Sequence, residues 1–148
     1  MKAVIQRVSS GSVSVAGDVT GRIQQGFVVL LGVATGDERE DADYLAEKIS
    51  NLRVFEDADK KMNLSIRDVH GSMLVISQFT LLADCRKGRR PSFGSAARPE
   101  AANNLYAYFV QQVRDRQIPV ETGRFGAYMA VSIENDGPVT IILNSRDK

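Results

Sequence analysis

The stretch Ser77-Gln78-Phe79-Thr80 sets two hydroxyls and a carboxamide within four positions, directly after the apolar run Met73-Leu74-Val75-Ile76. Such groups hydrogen-bond a carbonyl or a developing oxyanion, but none exchanges a proton near neutral pH. The chemistry open to them is positioning and electrostatic stabilisation. In a strand over 72–84, Gln78 and Thr80 share a face with Leu74, Ile76 and Leu82, while Ser77 and Phe79 point the other way. If that face is buried, the amide and the hydroxyl must each find a partner or cost about 1–3 kcal/mol. The pair is either satisfied by neighbouring backbone or forms the floor of a substrate pocket.

A second stretch, Asn135-Asp136-Gly137-Pro138-Val139-Thr140, joins a flexible glycine to a rigid ring between two apolar runs. At its simplest this is a turn. A cis Gly137–Pro138 bond would instead fix two carbonyl oxygens pointing the same way, a frame able to read the amine and side-chain directions at a chiral centre; the sequence leaves the isomer open. Other chemistry is excluded by what the chain lacks. With one histidine, His70, and one cysteine, Cys85, it cannot supply an ordinary zinc cluster, and no metal or cofactor is expected. His70 beside Gly71 reads as a surface-turn histidine, with a catalytic base as the lesser alternative; no G-x-S-x-G elbow and neither common glycine-rich nucleotide loop occurs.

Several elements must position these groups. Ala3–Val8, Ser12–Ala16 and Val19–Gln24 are short runs separated by Ser-Gly and Gly-Asp turn chemistry, which predicts an antiparallel meander. Phe27–Val33 is continuously apolar, as in a strand buried on both faces. The period then changes: Ala42, Leu45, Ile49 and Leu52 form a helical stripe with acidic residues at its start, and Ala102, Leu105, Phe109 and Val113 form another after Pro99. Between the helices lie a polar connector (EDADKKMNLSI), the 72–84 strand and a basic loop; strands Gly126–Glu134 and Val139–Leu143 follow. The expected class is α+β: one domain over 1–148, a bent antiparallel or mixed sheet or partial barrel of about seven strands with two packed helices.

The 148 residues, 43% hydrophobic, suffice for one core. No run of 18 apolar residues occurs, and the start MKAVIQRVSSGSVSV alternates where a secretory signal would be continuously apolar, so neither a membrane span nor a leader is expected. The lone cysteine fits a reducing compartment, with the cytoplasm the expected location. A net charge of +1 excludes a strong grip on nucleic acid through overall charge. Distribution differs: Arg86, Lys87, Arg89 and Arg90 cluster beside the candidate pocket, with Arg98 close behind, either as a solvated loop or as phosphate contacts.

In order and spacing, SQFTL at 77–81 and NDGPVT at 135–140 resemble the signatures of the D-aminoacyl-tRNA deacylase family. The opening AVIQRV, KMNLS at 61–65, RPSF at 90–93 and TGRFGAYM at 122–129 extend the resemblance over essentially the whole chain. The resemblance implies hydrolysis of the ester joining a D-amino acid to the 3′-terminal adenosine of tRNA, with no membrane or DNA partner. It implies a homodimer in which cis Gly137–Pro138 of one subunit enters the other's pocket and screens by handedness. That pocket would comprise Ser77, Gln78, Phe79 and Thr80, with Ala102, Phe125 and Met129 as walls and Arg7 bracing the Gly-Pro loop. Gln78 and Thr80 would then face the ester.

An aminoacyl ester is already activated, so its hydrolysis needs a placed water or hydroxyl, a proton relay and an oxyanion site. Thr80 could attack as a nucleophile, but an internal threonine without a neighbouring base is poorly activated, which favours assistance by the ribose 2′-hydroxyl. If L side chains are excluded by clash, D side chains are broadly tolerated and glycyl-tRNA, including glycine mischarged on tRNA(Ala), escapes the screen. Two alternatives stand beside this reading: a noncatalytic RNA-binding module using Arg86–Arg90 with Phe79 and Phe93, and a hydrolase of free D-amino acid esters or peptides.

Overall fold

Alternation of apolar side chains builds one sheet with two unlike faces. The computed structural model describes Met1–Lys148 throughout. In chain order its elements are β1 (Lys2–Val15), β2 (Asp18–Ile23), β3 (Gly26–Gly32), α1 (Arg39–Ser50), β4 (Phe55–Glu56), β5 (Met62–Leu64) and β6 (Ser72–Ser77). A 3₁₀ turn (Phe79–Leu82), α2 (Pro99–Asp115), β7 (Val120–Thr122), β8 (Ala130–Asn144) and a last 3₁₀ turn (Ser145–Asp147) follow. Six strands form a mixed sheet in the order β2-β1-β3-β6-β7, with β8 on the other edge of β1; β4 and β5 form a separate small hairpin. The α+β class and the two packed helices agree with the sequence reading.

β1 organises the sheet. Along one edge it pairs with β8 over nearly its full length; along the other it pairs first with β3 (Lys2 to Val8) and then with β2 (Gly11 to Val15). This double use bends the sheet, and β2 packs back against β6 and β7, so the curl nearly closes into a barrel. Inside it, Val8, Val13, Ile23, Val28, Leu74 and Ile76 form a small core. The alternate residues, Ala3, Ile5, Phe27, Val29, Leu31, Met73 and Val75, point outward into a larger core of 23 buried residues beneath α1 and α2. At about 1.5–3 kcal/mol per fully buried large apolar side chain, the helix-covered face dominates stability. No helix is long and apolar enough to cross a membrane.

Both helices form where their stripes predict. α1 begins with Glu40 and Asp41, whose negative charge suits a helix N-terminus, and the Asp41 carboxylate accepts the Glu38 N–H at 2.8 Å. α2 begins with Pro99 at its first position. Leu52 lies beyond the end of α1.

The strand assignments need four corrections. The Ala3–Val8 and Ser12–Ala16 runs are one strand, because Gly11 is a packing glycine and no turn: a Cβ there would stand 2.7 Å from Val28 Cγ2. The predicted 72–84 strand stops at Ser77, and Phe79–Leu82 turn as a 3₁₀ helix, so strand alternation does not govern Gln78 and Thr80. Strand Gly126–Glu134 begins only at Ala130 and runs through to Asn144, so Asn135–Pro138 is no hairpin turn. Finally, the polar connector carries β5 and the end of β4, and β7 has no counterpart in the sequence reading; all three are too short to show an alternating period.

Candidate active site

β3, β6 and β7 are mutually parallel, so their carboxyl ends lie on the same side of the sheet. A crevice outside the carboxyl ends of parallel strands is a recurrent ligand position, because backbone groups there lose their ladder partners. Here the chain opens a cavity of about 750 Å³. Its wall includes Val33 just after β3, Ile76 to Thr80 at the end of β6, Phe125 to Met129 after β7, and Pro99 and Ala102 at the start of α2.

The corner after β6 has a local cause. Gln78 N–H makes one last bond to Leu31 carbonyl oxygen at 2.8 Å, after which the chain folds back over Gly32. A Cβ on Gly32 would lie 2.6 Å from Leu82 Cδ2 and 3.0 Å from Gln78 carbonyl oxygen, so glycine is what lets the turn sit there. The turn closes with Leu81 N–H and Ala83 N–H donating to the Gln78 and Thr80 carbonyls. As the first residues of a 3₁₀ turn, Phe79 and Thr80 have no intrahelical acceptor for their N–H groups. Gln78 and Thr80 satisfy each other: the amide Nε2 donates to Thr80 Oγ1. That bond leaves the threonine proton free to be donated elsewhere.

Apart from the exposed Tyr128 phenol, the remaining wall is apolar. Phe79, 55% exposed, meets Phe93 edge-on at 5.0 Å between ring centroids. Phe125 packs on Tyr106, whose hydroxyl donates to Val75 carbonyl oxygen at 2.8 Å and whose burial pushes its pKa up to about 12. A roof comes from residues 95–97, which run beside 33–35: Thr35 N–H donates to Ser95 carbonyl oxygen and Ala97 N–H to Val33 carbonyl oxygen. None of the side chains lining the cavity is a carboxylate, imidazole, ammonium, guanidinium or thiol.

Seven of the anticipated residues meet in this cavity: Ser77, Gln78, Phe79, Thr80, Ala102, Phe125 and Met129. Gly137, Pro138 and Arg7 do not line it. They form a second construction within the β1–β8 pair, where Gln6 faces Thr140 but Val8 already faces Asn135, so Asp136 to Val139 bulge out opposite Arg7. The Gly137–Pro138 bond is cis, and Gly137 has φ +124°. Arg7, only 6% exposed, spans the gap: Nε donates to Asp136 carbonyl oxygen at 3.0 Å and Nη1 to Val54 carbonyl oxygen at 2.6 Å. Asp136, Gly137 and Pro138 of the bulge are exposed, while Val139 is half-buried against the larger core. Sequence reading missed Val33, Ile76, Phe93, Ala96, Ala97, Pro99, Gly126, Ala127, Tyr128 and Val131 as wall residues; the small-residue run Ser95-Ala96-Ala97 is a signal for Ala96 and Ala97 alone.

Comparison with known proteins places the chain in a family. The profile of the D-Tyr-tRNA(Tyr) deacylase family matches residues 4–144. The chain belongs to that family. As a member of a deacylase family it is an enzyme of the hydrolase class. It is similar to the D-aminoacyl-tRNA deacylases of Dehalococcoides mccartyi strain BAV1 (60% identity; 100% of this chain, 97% of the relative) and Fervidobacterium nodosum (58%; 99% and 98%). Among solved structures, one described as a c-Myc DNA unwinding element binding protein superposes with a TM-score of 0.91 at 42% identity, covering 97% of this chain and 98% of the other. Another, a "probable eukaryotic D-amino acid tRNA deacylase", shares the fold with a TM-score of 0.79 at 17% identity over 96% and 97% of the two chains.

Proposed function

We propose that the chain hydrolyses the ester linking a D-amino acid to the 3′-terminal ribose of tRNA, releasing both, as a chiral proofreading step. The observation that carries this reading is the cavity at the carboxyl ends of β3, β6 and β7, where a polar corner faces an otherwise apolar wall. The apolar space takes the amino-acid side chain. Gln78, Thr80 and the unpartnered N–H groups of Phe79 and Thr80 take the ester carbonyl and stabilise the oxyanion.

The proton relay comes from the substrate. A threonine nucleophile needs a base to take its proton, but the group bonded to Thr80 Oγ1 is a carboxamide N–H, which is itself a donor. With no titratable base at the corner, the vicinal ribose 2′-hydroxyl activates the attacking water, and Thr80 positions the ester without bonding to it covalently.

Handedness is imposed by a second subunit. In a homodimer, the outward-facing Gly137–Pro138 bulge of each subunit enters the other's cavity mouth, where an L side chain collides with it. The exposure of the bulge and its bracing by buried Arg7 support this assignment, since a projecting edge must be held rigid to reject by clash. Glycyl-tRNA, including glycine mischarged on tRNA(Ala), escapes the clash. The exposed, unpaired Cys85 and a tRNA substrate favour the cytoplasm as the place of action.

Deacylation of D-tyrosyl-tRNA and L-tyrosyl-tRNA at equal, low enzyme concentration tests the reading. Rapid loss of the D ester with the L ester spared is expected; cleavage of neither above the buffer rate overturns it. Light scattering at micromolar concentration should give twice the chain mass, and a monomer there would remove the partner-subunit screen.

A further inference from the structure

The basic stretch forms a distinct structure. Asp84 and Ser92 exchange both backbone hydrogen bonds, at 2.7 and 3.0 Å, and pin the base of a projecting tongue whose residues 85–92 are all exposed. Arg86 is occupied at that base, with Nε and Nη2 on the two Asp84 carboxylate oxygens at 2.9 and 2.7 Å. The guanidinium holds the Asp84 carboxyl below its usual range, so the pair is intact at neutral pH and is lost only as pH falls through that lowered value. Lys87, Arg89 and Arg90, farther out, make no side-chain hydrogen bond and no ion pair within the chain.

Residues 84–98 carry five cations and one carboxylate in a chain whose net charge is only +1, so the remainder of the molecule is acidic overall. The tongue is continuous with the cavity, because it leads into Phe93, which packs on Phe79 at the wall. Arg98 and Arg124, also exposed and without ion pairs, each stand one residue before a wall residue, Pro99 and Phe125. Free cations therefore adjoin the cavity wall in sequence but line none of it. Glu100 is the one carboxylate in the first turn of α2.

We propose that this tongue, through Arg89 and Arg90, clamps backbone phosphates of the acceptor end of tRNA while the terminal residue occupies the cavity. The proposal rests on the deacylase reading for the identity of the RNA, but its test needs no ester chemistry. Arg86 serves as a positioning residue that fixes the tongue's root and stays out of the phosphate contacts.

Neutralising two phosphate contacts changes the salt dependence of binding by a known amount. Each contact to single-stranded nucleic acid contributes about 0.7 to the slope of log affinity against log salt. For uncharged tRNA in a salt titration, an R89Q/R90Q double variant should have a slope shallower by about 1.4 than the unmodified protein, and bind roughly 25-fold more weakly at 0.1 M salt. An R89K/R90K variant, which keeps the charges, should recover most of that loss. An unchanged slope in R89Q/R90Q, or no recovery in R89K/R90K, overturns the proposal. Duplex DNA of equal phosphate number competing as well as tRNA overturns the assignment to RNA. Failure of D-ester hydrolysis with the slope change intact would instead fault the deacylase reading.

Discussion

The corner after β6 and the bulge in β8 are both departures from regular strand, and they differ in every other respect. The corner ends its strand, turns into its own cavity and satisfies its polar side chains within three residues. The bulge leaves its strand intact on either side, faces outward and is held by an arginine 129 positions away in sequence. On the proposed reading, the segment that acts inside its own subunit pairs Gln78 with Thr80 locally, while Leu31 and Gly32 set where it turns. On the same reading, the one that projects toward another molecule is braced from behind.

That contrast sorts the expected effects of perturbation, with groups at the corner setting rate and groups at the bulge setting selectivity. The largest effect falls on the substrate: a D-aminoacyl-tRNA ending in 2′-deoxyadenosine should react about 10² to 10⁴ times more slowly in single-turnover assays, the range of a lost acid–base group. Full activity on it, together with a dead Thr80→Ala variant, would return the nucleophilic role to the threonine. Next come Gln78→Ala and Thr80→Ala, expected to lower kcat on the D ester by about 10² without abolishing it and to leave the D to L preference in place.

Arg7→Ala inverts the pattern. With Asp136 and Val54 carbonyl oxygens unpaired, the bulge loses its brace, and cleavage of the L ester should rise roughly tenfold or more while the D ester changes by only a few-fold. Equal loss on both esters would show that the two regions are not separable. Arg7→Lys, keeping the charge with a single donor group, should fall between.

The smallest effect lies behind the corner, where Tyr106 bonds the Val75 carbonyl of β6. An unfolded tyrosine ionises near pH 10 and the folded one near about 12, so its contribution is complete below about pH 10 and is lost as pH rises toward 12. Linkage makes that loss about 2 to 3 kcal/mol. Tyr106→Phe should be about 1 kcal/mol less stable at pH 7 by denaturant titration, with a flatter alkaline limb.

The same contrast explains what the sequence made legible. Both helices and the doubly buried Phe27–Val33 run could be read from local period, and Ser77 to Thr80 from residue chemistry at adjacent positions, whereas Ala102, Phe125 and Met129 were implied only by the family resemblance. The continuity of β1 and β8 could not. Gly11 and Asn135–Pro138 carry turn chemistry, and only the strand lying alongside shows that one is a close approach and the other a bulge. The corner misled for a related reason: Gln78 and Thr80 keep the spacing of a strand, and the cause of the turn is Gly32, 46 positions earlier. Sites made by apposing distant backbone leave little mark on the residues that line them.

The exposed tongue between Asp84 and Ser92 also bears on handling. Arg86, Lys87 and Arg89, on a protruding loop with no buried side chain, make it a preferred target for trypsin, whereas the arginine inside the β1–β8 pair is shielded. A single early nick there would leave two fragments held together by the sheet. The rate of that nick then becomes a simple gel-based gauge of whether anything occupies the loop.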